Sequence, residues 1–67
     1  MANNYGFCIF ENQSGNAVEA EQGYPTIAEA RDAAIDTAAW WTDNQPRGCY
    51  SWEVYDVMLD KTIEVGG

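Results

Sequence analysis

One segment, residues 25–43, reads PTIAEARDAAIDTAAWWTD, and it is the only stretch that reads as a helix. Thr26 is a good N-cap and Glu29 follows three residues later, which together make a capping box. Pro25 keeps the chain extended just before the cap. Six alanines between positions 28 and 39 supply strong helix propensity. Asn44, Pro46 and Gly48 end the run, so a helix is expected over residues 27–43. At ~100° per residue, Ala30, Ala34, Ala38 and Trp41 fall within about 60° of Ile27 and form a buried stripe. Most of that stripe is small, so the helix can sit close to whatever it covers.

The remaining segments read as strands. YGFCIFEN, residues 5–12, is rich in aromatic and β-branched residues, with Tyr5, Phe7 and Ile9 on one face and Cys8 and Phe10 on the other. Apolar side chains on both faces place this strand in the middle of a sheet. NQSGN, residues 12–16, reads as a hairpin turn. AVEAEQ, residues 17–22, then alternates, with Val18 and Ala20 pointing one way and Glu19 and Glu21 the other. After the helix, CYSWEVYDV at 49–57, a turn at MLDK and TIEV at 62–65 make a second hairpin. The expected fold is α+β, with order ββαββ: a four-stranded antiparallel sheet and one helix packed on one face. The helix is expected to cover Tyr5, Phe7, Ile9, Val18, Trp52, Val54 and one of Ile63 or Val65.

A chain of 67 residues makes a single domain, residues 1–67. A domain of that size buries only ~60% of its unfolded surface and is marginal by itself. Aromatic packing or self-association must help, and three tryptophans, four tyrosines and two phenylalanines suit either. Cys8 and Cys49 permit one disulfide, but their positions in sequence do not say whether they are close. MANNYGF has neither a basic start nor a long apolar core, so it does not read as a signal peptide. No apolar run approaches the ~20 residues of a membrane span. A cytoplasmic protein with reduced cysteines is the expectation.

The charge is one-signed. Eleven acids face only Arg31, Arg47 and Lys61, for a formal net charge of −8. Such a chain repels nucleic acid and anionic membranes; the excess acid either steers it towards basic surfaces on other proteins or simply keeps a small protein soluble. On the wheel, Glu29, Asp32, Asp36 and Asp43 lie opposite the buried stripe, and Trp40 lies among them. Either Trp40 folds over onto a loop or strand edge near Pro46, or it is an aromatic anchor inside an acidic patch. Tryptophan is enriched at interface hot spots. Four carboxylates spread along ~21 Å of helix give one per ~5–7 Å, sparser than the ~3.4 Å spacing of a DNA strand. A fuller imitation of a nucleic-acid backbone needs Glu11, Glu19, Glu21, Glu53 and Glu64, several of which are expected on the uncovered sheet face or its edge.

Signals of chemistry are weak. There is no histidine for general-base work or zinc ligation. No serine has a triad partner, and the glycines form no phosphate-binding loop. Asp56, Asp60 and Glu64 do not match calcium-loop spacing. A one-sheet domain also offers little cleft for a substrate. The expectation is a non-enzymatic protein without cofactor or metal.

The 67-residue length, the −8 charge, the acidic helix EARDAAIDTAAWWTD and the aromatic strand CYSWEVYD resemble the small, acidic, phage-encoded anti-CRISPR proteins, especially those thought to mimic DNA. The resemblance is one of type and covers the whole chain. Those families share no common motif, so no functional residue is carried over by alignment. It implies a partner: a basic surface on a CRISPR–Cas surveillance or effector protein, bound where DNA would bind, in the cytoplasm of a bacterial host. The residues expected to meet that partner are Glu29, Asp32, Asp36, Trp40 and Asp43 on the helix, with Glu19, Glu21 and Glu53 from the strands. The alternative is a small phage or bacterial interaction module that forms a homodimer through its open sheet face.

Overall fold

In a computed structural model, residues 3–44 and 48–66 are described. The elements are β1 (Tyr5–Glu11), β2 (Ala17–Tyr24), α1 (Ile27–Asn44), β3 (Tyr50–Asp56) and β4 (Lys61–Gly66). The four strands form one antiparallel sheet in the order β2-β1-β3-β4, with α1 across one face. This is the expected ββαββ α+β fold, and the described helix runs one residue beyond its expected end. The Cα envelope measures 41 × 19 × 15 Å, so its shortest dimension is that of one helix on one sheet. Of the residues expected to stop the helix, Pro46 lies outside the described ones.

Local chemistry accounts for each boundary. The Thr26 hydroxyl accepts a hydrogen bond from the Glu29 backbone N–H at 3.1 Å and donates to the Glu29 carboxylate at 3.3 Å. At the other end, the Thr42 hydroxyl donates to the Ala38 carbonyl and the Asn44 amide donates to the Trp40 carbonyl. The first hairpin closes through Gly15, whose φ of 75° lies in the left-handed region that glycine adopts without strain. In the second, Asp56 Oδ1 accepts from the backbone N–H groups of Met58 and Leu59. That turn spans Val57–Asp60, one residue earlier than expected.

Small residues let the helix approach. Ala30 and Ala34 are fully buried and Ala38 nearly so, against Phe7, Ile9 and Val54 of the two central strands. Phe7, Ile9 and Val54 are the large side chains with no exposure, each contributing ~1.5–3 kcal/mol by burial. Ile27, Trp41, Tyr24, Tyr50 and Trp52 pack around their rim. Cys8 and Phe10 point the other way, onto a sheet face that no described element covers. The two cysteines are free thiols, Cys8 half-buried on β1 and Cys49 exposed before β3.

Two sequence expectations fail, both at β-bulges on the edge strands. In β2, Ile9 pairs with Glu19 but Phe10 pairs with Ala17, so one extra residue, Val18, enters the ladder. A bulge breaks the period-two alternation. Val18 therefore reaches the core, Ala20 pairs with Cys8 on the open face, and Glu19 and Glu21 lie on the helix side, opposite Ile9 and Phe7. The alternation alone placed Glu19 and Glu21 with the wet face of the sheet. A further register shift in β2 falls at Gly23, and in β4 one falls at Ile63. Glu64 then lies opposite Val54 on the helix side, while Val65 pairs with Glu53 on the open face and is 69% exposed. Neither Ile63 nor Val65 joins the core under the helix. Arg31 instead donates from the helix to Glu64 at 3.1 Å, and this ion pair closes that flank.

Candidate functional site

Asp32, Asp36 and Asp43 are exposed along the outer face of α1, as the wheel requires. Glu29 is exposed at the first turn, where its carboxylate is engaged by the cap. Trp40 is 55% exposed, whereas Trp41 is half-buried and packs on the core. The tryptophan on the outside is thus Trp40. It rests edge-on against Trp41, with ring centroids 5.4 Å apart, and Trp41 in turn contacts Tyr50 at 5.5 Å. This aromatic row holds the exposed indole against the body of the protein.

The bulge in β2 brings strand acids to the same side. Trp41 Nε1 donates to Glu19 Oε1 at 3.0 Å, which fixes the half-buried Glu19 beside the helix. Glu19, Asp36, Thr37 and Trp40 line one groove of about 350 Å³ between α1 and β2. Glu21 is exposed further along the edge, where its carboxylate accepts from the Tyr24 hydroxyl at 3.5 Å. Burial, and after it that carboxylate, holds the Tyr24 phenol above its ordinary pKa.

Seven of the eight expected partner-binding residues therefore share the helix side, and Glu53 does not. It sits on the open face, paired with Cys8 and Val65, and accepts from the Thr62 hydroxyl at 3.2 Å. A second groove, of about 280 Å³, runs there beside Cys8, Phe10, Tyr55 and Lys61. Burial, then the nearby Glu53 carboxylate, pushes the Cys8 thiol above its usual pKa. Tyr55 is likewise raised, first by burial and then by Cys8. The Tyr55 ring lies over Gly6, where an added Cβ would come within 2.8 Å of its hydroxyl.

Charges of opposite sign are few on the helix side. Arg31 is committed to Glu64, and Lys61 begins the far edge strand, β4. Arg47 lies outside the described residues. Sequence reasoning missed two participants, Thr37 in the groove wall and the Trp41 N–H that sets Glu19. The bulge that brings Glu19 there leaves no mark in the hydropathy pattern. Among the described residues no three acids, cysteines or histidines come together as metal ligands, and no helix is long and apolar enough to cross a membrane. In comparisons with known proteins, the chain matches no family model, no curated protein and no solved structure.

Proposed function

We propose that this chain is a non-enzymatic inhibitor that docks the acidic helix side on a basic nucleic-acid-binding surface of a bacterial CRISPR–Cas protein and so blocks target DNA. The observation that carries this reading is an exposed, braced Trp40 that shares a groove with Glu19 and Asp36 on the helix side, the side on which Asp32 and Asp43 are also exposed. The acids supply steering towards a cationic channel, and the indole supplies a rigid anchor. Because Glu19 and Glu21 join the helix side, the mimicry is one-sided: a single charged flank meets the partner. The protein acts in the cytoplasm of the host, where such complexes meet DNA.

The test is DNA binding by a purified CRISPR–Cas complex, titrated with wild-type protein or with a variant carrying Asp32→Lys, Asp36→Lys and Asp43→Lys. Wild type should displace DNA, and the triple variant should not, since each reversal turns attraction into repulsion. All three positions are exposed, so the fold should survive. Equal inhibition by both proteins would remove the helix side as the docking surface. A second reading, a homodimer through the open sheet face, is favoured by Phe10, Tyr55 and the exposed Val65 on one uncovered surface. A salt-tolerant dimer in sedimentation, with no effect on any CRISPR–Cas complex, would support it instead.

A further inference from the structure

We propose that the groove between α1 and β2 is a receptor for one arginine side chain of the partner, stacked on Trp40 and forked between Asp36 and Glu19. This rests on the reading of the helix side as a docking surface and names the chemistry at its centre. The groove has about 350 Å³ and is lined by Glu19, Asp36, Thr37 and Trp40. That is the low end of the ~300–1,000 Å³ typical of ligand sites, and it suits one side chain better than a large cofactor. Two carboxylates and an indole make it complementary to a cation. Among the described residues no cation fills it: Arg31 pairs with Glu64 on the opposite flank of the helix, and Lys61 lines the groove on the open sheet face.

The donors are set in advance. Glu19 is held through Oε1 by the Trp41 N–H, and Oε2 makes no hydrogen bond among the described residues. Asp36 makes none there either, so both carboxylates keep acceptor capacity for a guest. Trp40 is braced edge-on by Trp41 and loses little freedom when a guest stacks on it. A planar guanidinium can stack on the indole and donate to two carboxylates at once; an ammonium is a point charge that cannot fork in this way. The groove therefore selects arginine over lysine.

The probe is Nα-acetyl-arginine methylamide, with the lysine analogue as comparison, followed by nuclear magnetic resonance of the intact protein at low ionic strength. The largest shifts should fall on the Trp40 indole N–H and on the side-chain carboxyl carbons of Asp36 and Glu19, with lysine binding several-fold more weakly. Trp40→Ala should weaken arginine binding about two- to five-fold, the range of an exposed cation–π contact. Asp36→Asn should weaken it as well. Glu19→Gln keeps an oxygen for the Trp41 N–H, so it tests the charge without unsettling the fold. Asp32→Asn, outside the groove, should change little. Equal shifts across all the helix acids, or indifference to Trp40→Ala, would overturn the proposal.

The two readings fail separately. Loss of inhibition in the triple lysine variant, without arginine capture at Trp40, would leave the docking surface standing and remove the groove. Arginine capture at Trp40 without inhibition of a CRISPR–Cas complex would leave the groove standing and remove that target.

Discussion

Ala33 and Ala34 are neighbours on α1, yet the sheet treats them differently. Ala34 is fully buried against the central strands, while Ala33 is half-buried at their margin. Ala34→Leu should destabilise by roughly 1–3 kcal/mol through overpacking, and Ala33→Leu by less. Urea midpoints of the two variants check this, and equal midpoints would place the helix in a different phase. Single-tryptophan variants make a related check, since acrylamide should quench Trp40 more readily than Trp41. Cys8, Tyr24 and Tyr55 give a pH dependence. All three are raised, mainly by burial, above the ordinary values of ~8.5 for a thiol and ~10 for a phenol. The native state holds these protons more tightly than the unfolded chain does. Their contribution is therefore complete below the ordinary values and is lost as pH rises through the raised ones. The denaturation midpoint should fall over that alkaline range, and Tyr55→Phe should lessen the fall.

At the scale of elements, the helix was legible almost residue by residue because its signals are local. A cap, a run of alanines and a 3.6-residue period depend only on near neighbours. The Thr26–Glu29 bonds confirm the cap, and Thr26→Ala should cost ~1 kcal/mol. For a domain of this size that lowers the melting temperature by about 4–8 °C, measurable by circular dichroism. Edge strands were less legible. A bulge depends on which residue the neighbouring strand offers, and Val18 and Ile63 carry no turn signal of their own. Each bulge also breaks the edge ladder, which makes β2 and β4 poorer templates for an incoming strand.

At the scale of the whole molecule, a net charge of −8 acts in opposite directions on folding and on the proposed docking to a basic partner. Like charges repel in the compact state, and salt relieves that repulsion. Added sodium chloride should therefore raise the melting temperature. The same screening should weaken docking on a basic partner. Thermal melts and the DNA-displacement assay, run over one salt series, test both halves. Inhibition that holds steady as the melting temperature rises would argue for a dry contact through the open sheet face.

The order ββαββ, the helix limits and the division of labour between Trp40 and Trp41 were written in the sequence, since each follows from periodicity and capping within a few residues. The acidic character of the helix was written there too. Where the strand acids lie was decided only by tertiary structure. One extra residue at Val18 rotates Glu19 and Glu21 to the helix side, and one at Ile63 exchanges an apolar contact for the Arg31–Glu64 pair. A single inserted residue inverts the facing of the side chains beyond it until a second one, as at Gly23 in β2, restores it, because the strand period is two. Glu19 lines the groove at Trp40 for that reason, and no local pattern announces it.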